Sequence, residues 1–254
     1  MFIFIMAKLS TIVEYANELL KINLFKDYCP NGLQVEGRGQ VKKMVSGVTA
    51  CQALIDAAIL EGADLLLVHH GYFWRGEDAS ITGIKQKRIR ALLENGVSLL
   101  GYHLPLDAHA ELGNNACLAA KLGFQAEGVL TTELIGNYGS LAQALNVEEL
   151  AASISTTLGR EPLVIPAGPD KINRIGWCTG AAQNYIDQAI GLGLDAYISG
   201  EISEQTVHLA REAGIHYFAA GHHATERYGV QSLGEHLARQ FDISHQYIDI
   251  DNPV

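Results

Sequence analysis

Three short stretches gather side chains that bind metals or move protons. "VHHGYFW" (68–74) carries His69 and His70, "YHLPLD" (102–107) carries His103 and Asp107, and "GHHATE" (221–226) carries His222, His223 and Glu226. Each follows an apolar run that reads as a strand, and ligand sites in open α/β sheets gather beyond the carboxyl ends of strands. Imidazole with carboxylate suits zinc, iron, manganese or cobalt. His222 and Glu226 converge if a helix starts near Ala224, since residues four apart share a helix face. The adjacent histidines are the awkward part, because neighbouring side chains on a strand point to opposite faces. Both can be ligands if the strand ends there and Gly71 turns the chain, or if they serve two different ions. His69, His70, Asp107, His222 and Glu226 could then hold a pair of ions, with one carboxylate bridging. Two ions roughly 3.5–4 Å apart activate water and polarise a substrate oxygen. Taken singly, each of these histidines reads better as packing or a surface hydrogen bond; their clustering after strands is what favours a metal.

The elements that must position these groups alternate along the chain. Strands are expected at 44–48, 64–68, 97–102, 163–165, 174–178, 195–198, 215–219 and 245–250. Helices are expected at 8–21, 51–61, 84–95, 114–122, 147–158, 182–192, 203–213 and 226–240. Asn146, with Glu149 three residues on and Gly159 as the stop, caps the fifth of these. Such alternation implies an α/β protein with mixed or parallel sheets flanked by helices.

The chain also repeats itself. Shifted by 131 residues, QALIDAAILEGAD (52–64) matches QNYIDQAIGLGLD (183–195) at seven of 13 positions. A threonine-containing turn (Thr49, Thr179) precedes each copy and a strand follows it. On this alignment His70 faces Glu201, and with a one-residue slip His103 and Asp107 match His222 and Glu226. The period is too long for a solenoid, so two similar, intertwined lobes are expected. Residues 1–128 form the first and 129–254 the second, with the last helix and strand packing back on the first.

Composition narrows the functions. The chain has 254 residues, 48% of them hydrophobic, and a net charge of −10. That balance argues against an extended nucleic-acid surface or an anionic-membrane surface. No apolar run reaches the roughly 18 residues of a membrane span. Cys29, Cys51, Cys117 and Cys178 show no CxxC pairing and read as buried reduced thiols of a cytoplasmic protein. The start, "MFIFIMAKLS", is too short and lacks the basic flank of a signal peptide; Met6 is an alternative first residue. His109, His208, His216, His236 and His245 stand alone and read as structural or surface groups. "YFW" (72–74) reads as core or interface. "IKQKRIR" (84–90) reads as a solvated helix face rather than a phosphate site. Fingerprints for Rossmann, P-loop and α/β-hydrolase sites are absent.

Seven stretches together resemble one family: "DYCPNGLQVEG" (27–37), "GVTA" (47–50), "VHHGYFW" (68–74), "YHLPLDAHAELGNNA" (102–116), "WCTGAAQ" (177–183), "SGEISEQTVH" (199–208) and "AAGHHATERYG" (219–229). The sequence is similar over nearly its whole length to the NIF-three-like family, the GTP cyclohydrolase I type 2 homologues, in its short bacterial form. The resemblance implies two α/β lobes with a dinuclear metal centre between them, in a toroidal homohexamer. It implies His69, His70, Asp107, His222 and Glu226 as ligands of two divalent ions (zinc, iron, manganese or cobalt), with His103 close by as a proton carrier. Glu201, standing where the repeat places His70, is expected to face the site. The implied activity is hydrolysis of a nucleotide-like substrate, as in opening a purine imidazole ring with loss of formate. Two rivals use the same residues: a two-metal phosphoesterase or nuclease, and a non-enzymatic metal-binding hexameric regulator or scaffold.

Overall fold

A computed structural model describes residues 6–254; the apolar start at 1–5 lies outside the described residues. In chain order the elements are β1 (Ala7–Lys8), α1 (Leu9–Leu19), β2 (Gly32–Val35), β3 (Gln40–Val41), β4 (Lys43–Thr49), α2 (Gln52–Leu60), β5 (Leu65–His70), α3 (Gly83–Asn95), β6 (Ser98–Gly101), α4 (Leu104–Ala108) and α5 (Asn114–Leu122). They continue as β7 (Phe124–Val129), β8 (Asn137–Leu145), α6 (Val147–Leu158), β9 (Leu163–Ile165), β10 (Ile172–Cys178), α7 (Ile186–Gly191), β11 (Ala196–Ser199), α8 (Glu204–Ala213), β12 (His216–Ala219), α9 (His222–Phe241) and β13 (Ser244–Tyr247). Among the described residues no helix is long and apolar enough to cross a membrane.

The chain divides into two compact units, 1–106 with 230–251, and 107–229 with 252–254. The first holds a five-stranded sheet in the order β13-β4-β5-β6-β2, parallel except for β2. Val45, Leu66, Val68 and Leu99 of its strands pack with Leu54, Ile55, Ile89 and Leu92 of α2 and α3. The second holds a six-stranded mixed sheet, β7-β8-β10-β11-β12-β9, in which β10, β11 and β12 are parallel. Its core joins Ile175, Trp177, Ile198 and Phe218 to Leu150, Ile154 and Leu158 of α6. Asn146 and Glu149 form the expected capping box on α6.

The sequence repeat is a repeat of structure. Met44 pairs with Leu65 in the first unit and Ile175 with Ala196 in the second, the same register 131 residues on. The aligned aspartates do the same work. Asp64 Oδ2 accepts from the backbone N–H groups of Lys42 and Lys43 at 2.9 and 3.2 Å. Asp195 Oδ2 accepts from those of Asn173 and Arg174 at 2.8 and 2.9 Å. Each ties the start of one parallel strand to the start of the next.

Three differences from the sequence expectations have physical causes. The β7–β8 antiparallel hairpin was not expected, because FQAEGV and NYGSLAQAL carry Gly, Ala, Asn and Gln where strand propensity needs branched or aromatic side chains. Helix α4 is a single short turn, with Pro105 tolerated in its first turn. Helix α9 begins at His222 rather than at 226.

A half-buried histidine in the first unit ties stability to pH. His245 on β13 bonds Ser46 Oγ at 2.8 Å. Burial holds its imidazole below its ordinary 6.5, against the opposing pull of Glu235. Neutral His245 is thus favoured in the fold, so its contribution is complete above pH 6.5 and is lost as pH falls below that value. Urea unfolding midpoints should drop as pH is lowered through 6.5, and His245→Gln should flatten that part of the curve. An unchanged slope in the variant would assign the pH dependence to other groups.

Candidate metal centre

The first unit answers the problem of the adjacent histidines. Strand β5 runs through both, two residues beyond its expected end at 68. Its neighbours are β4 on one side and β6 on the other. His69, fully buried, has Nδ1 at 2.8 Å from the carbonyl oxygen of Tyr102, just past β6. His70, half-buried, has Nδ1 at 3.2 Å from Oγ1 of Thr49, at the end of β4. The two imidazoles therefore reach to opposite neighbouring strands while their ring centroids stay 4.5 Å apart. A carbonyl can only accept, so His69 Nδ1 carries the hydrogen and Nε2 the lone pair. The Thr49 hydroxyl can donate or accept. His103 stands 5.1 Å from the His69 ring and 5.8 Å from the His70 ring. The three offer nitrogen atoms all within 4.8 Å of one another.

The turn after the doublet is set by Gln34. Its Oε1 accepts from Tyr72 N at 2.7 Å, and its Nε2 donates to Pro30 O at 2.8 Å. A Cβ on Gly71 would stand 2.0 Å from that Oε1, so a larger residue there would displace the Gln34 amide.

The second unit assembles its set from three places. Asp107 is buried, and its Oδ1 accepts from Asn114 Nδ2 at 2.8 Å and Thr179 Oγ1 at 3.3 Å. Asn115 braces the same region, donating to Asp107 O and accepting from Thr179 N. His222 opens α9 and Glu226 sits one turn on, with Nε2 and Oε2 3.1 Å apart. On its other side His222 Nδ1 lies 2.6 Å from Glu201 Oε1, just past β11. Burial works against charge on His222, but the Glu226 and Glu201 carboxylates outweigh it and push its pKa up to about 9. The start of α9 is tied to the Gly180 turn, where Gly180 N donates to Thr225 Oγ1 at 3.1 Å.

Each candidate thus has a defined place. His69, His70 and His103 sit in the first unit, and Asp107, His222 and Glu226 in the second. Glu201 touches His222. Groups that sequence reasoning missed are the supports: Asp27, Asn31, Asn114, Asn115 and Gly180. The matched threonines carried a signal, since Thr49 meets His70 and Thr179 meets Asp107. Two of the four cations in the basic stretch 84–90 are committed: Lys85 lies over the Phe73 ring and 3.4 Å from Glu77, and Arg90 pairs with Glu94. His216 bridges the backbone of Ala167, Gly168 and Pro169.

These residues fit divalent cations. The donors are imidazole and carboxylate, and His69 and His222 have Nδ1 held by an acceptor, as histidine ligands usually do. A glycine keeps room beside two of them. A Cβ on Gly180 would stand 2.2 Å from Glu226 Oε1 and 3.3 Å from His222 Nε2.

Comparisons with known proteins show the family and the fold. A family model described as Duf34/NIF3 (NGG1p interacting factor 3) matches residues 7–253. A Pseudomonas aeruginosa protein named GTP cyclohydrolase 1 type 2 homolog is 58% identical over 249 residues, covering 97% of this chain and 98% of that protein. A solved structure titled protein ybgI, unknown function, is similar with a TM-score of 0.95 at 49% identity, covering 98% of this chain and 100% of that one. Another, from Thermus thermophilus, has a TM-score of 0.90 at 30% identity, covering 98% and 100%.

Gly180→Ala tests the cradle. With φ at +70° and Glu226 in the way, the variant should bind zinc more weakly than the parent and lose about 1–2 kcal/mol of stability. Gly193→Ala is the control: its φ is +62°, but open space surrounds the added methyl. Equal metal affinity in the two variants, measured by calorimetric titration, would refute the cradle.

Proposed function

We propose that this chain, which belongs to the Duf34/NIF3 family, is a dinuclear metal-dependent hydrolase of a nucleotide-like substrate. The observation that carries the reading is the way the imidazoles are held. Nδ1 of His69 and His222 is engaged by an acceptor, which fixes Nε2 as the ligand nitrogen. The name of the Pseudomonas relative supports the substrate class, and the homohexamer implied by the resemblance belongs to the same reading.

His69, His70, Asp107, His222 and Glu226 would hold the ions, with Asn114 and Thr179 fixing the Asp107 carboxylate and Glu201 fixing the His222 ring. Bound there, divalent cations supply a Lewis acid and lower the pKa of water. His103 would take a proton as water adds and return it to the nitrogen released when the purine imidazole ring opens.

Asp107→Ala and Glu226→Ala should each lose most bound metal while staying folded, because each unit has its own apolar core. Glu201→Gln should weaken binding by roughly 10–100-fold without abolishing it, the usual cost of losing a ligand's outer support. Elemental analysis of the purified variants checks this, and full occupancy in both alanine variants would refute the ligand assignment.

Substrate class is tested on metal-loaded protein with GTP. Formate release without phosphate release is the expected result. Phosphate release, or cleavage of a phosphodiester panel, would turn the reading to a phosphoesterase. Full metal occupancy with no turnover would favour a binding role.

A further inference from the structure

His103 has a partner of its own, in a stretch that the repeat does not contain. The Asp27 side chain is 3% exposed, and its Oδ1 lies 2.7 Å from His103 Nδ1. Three more groups donate to the same carboxylate: Tyr28 N at 2.6 Å, Asn31 Nδ2 at 2.8 Å and Leu104 N at 2.9 Å. Asn31 holds both members, because its Oδ1 also accepts from His103 N at 2.7 Å. The ring is walled edge-on by Tyr28 at 6.4 Å and Trp74 at 5.0 Å between centroids.

Cys29 joins Asp27 and His103 in a group that could be read as a metal site. Two facts count against that. A carboxylate has about four lone-pair positions, and four donors already use those of Asp27. Burial, with Asp27 beside it, pushes the Cys29 thiol up to about 12, so it stays protonated. What remains is a carboxylate built to hold an imidazole. An ionised carboxylate can only accept, so His103 Nδ1 must carry the hydrogen, and in the neutral ring Nε2 is then the lone pair.

The second unit makes the same pair by a different route. Glu201 holds His222 from the end of β11, and its repeat counterpart is His70. Asp27 precedes β2, outside the repeated strand–helix–strand segment. Two copies of one scaffold thus reach a carboxylate–Nδ1 contact from unrelated positions, which the shared fold does not require.

We propose that Asp27 is a positioning residue that locks His103 as its Nδ1–H form, so that Nε2 takes the proton in the reaction proposed for this site. The inference rests on the hydrolase reading for its purpose. Its geometry can be tested without a substrate. Nε2 gains one proton to give imidazolium, Asp27 keeps its charge throughout, and the same proton then passes to the leaving nitrogen.

Diethyl pyrocarbonate, which acylates an unprotonated imidazole nitrogen, is the probe. Zinc-loaded protein is treated and His103 modification is followed by peptide mass spectrometry. His103 should react in the parent. In Asp27→Asn the side-chain amide turns its N–H toward Nδ1, because that orientation opposes only the Tyr28 N–H, whereas the other would oppose both Asn31 and Leu104. The hydrogen then moves to Nε2, and His103 should react roughly tenfold more slowly or less. Asp27→Glu should keep most of the parent reactivity. Equal rates in parent and Asp27→Asn would overturn the proposal, and so would a parent His103 that does not react at all. If Asp27→Asn does not fold, nitrogen chemical shifts of ¹⁵N-histidine-labelled parent decide it, and a hydrogen on Nε2 overturns it. Zinc content is measured in parallel. Loss of zinc binding by the parent would fail the hydrolase reading, while His103 reactivity judges the Asp27 contact separately.

Discussion

An imidazole presents a fixed lone pair at one nitrogen only when something holds the other, and this governs how both units are built. His69 is held by a backbone carbonyl, His70 by a threonine hydroxyl, and His103 and His222 by carboxylates. Every one of these anchors lies at or beyond the end of a strand, or on a loop tied there by Asn31. Parallel strands bring their carboxyl ends to one edge, where the carbonyl of the next residue is no longer owed to the ladder. Tyr102 O can face His69 because β6 has ended one residue earlier. Thr49 is the last residue of β4, and its side chain can turn to His70. The adjacent histidines work as a pair because β5 lies between these two neighbours and each ring takes one.

The repeat separates what the scaffold needs from what the chemistry needs. Asp64 and Asp195 are scaffold: each caps two backbone N–H groups at strand starts, the opposite end of the strands from the candidate ligands. The matched strand registers are scaffold as well. Thr49 and Thr179 are not needed by the sheet in that way. One meets an imidazole and the other a carboxylate, so the same position supports different ligands in the two units. The buried Asn114 and Asn115 follow the same logic in "GNNA", where each side chain both donates and accepts and so joins three chain segments.

Much of this was legible in the residues, and what was not has definable causes. The parallel strands were readable because Leu65–Val68 and Tyr197–Ile198 are apolar on both faces. The capping box on α6 was readable because it is local. The β7–β8 hairpin was hidden because its pairing, rather than its side chains, makes it a strand. The early start of α9 was hidden because His222 and His223 are ordinary in a helix and Gly221 gave the stronger local signal of a loop. Asp27 could be quoted as part of a matching motif, yet its role depends on a contact 76 residues away. Chain periodicity carries no information about such a contact.

Charge supplies the last link. The chain carries a net charge of −10, and its candidate ligands add buried Asp107 and Glu226 to that balance. A polyanionic substrate such as a nucleotide would be repelled by such a surface unless something local reversed the sign. Two of the four cations of α3, Lys85 and Arg90, are paired with carboxylates. Arg75 is drawn over the Tyr28 ring and bonds Asp27 O. Divalent ions held by the imidazoles and carboxylates would be the largest positive charges in the region. On the proposed reading they would both activate the reaction and make an acidic protein accept an acidic substrate. Imidazole ligands, which are neutral once they give a lone pair to an ion, matter here too. They hold a cation without cancelling its charge, so a set richer in histidine than in carboxylate leaves more of that charge for the substrate.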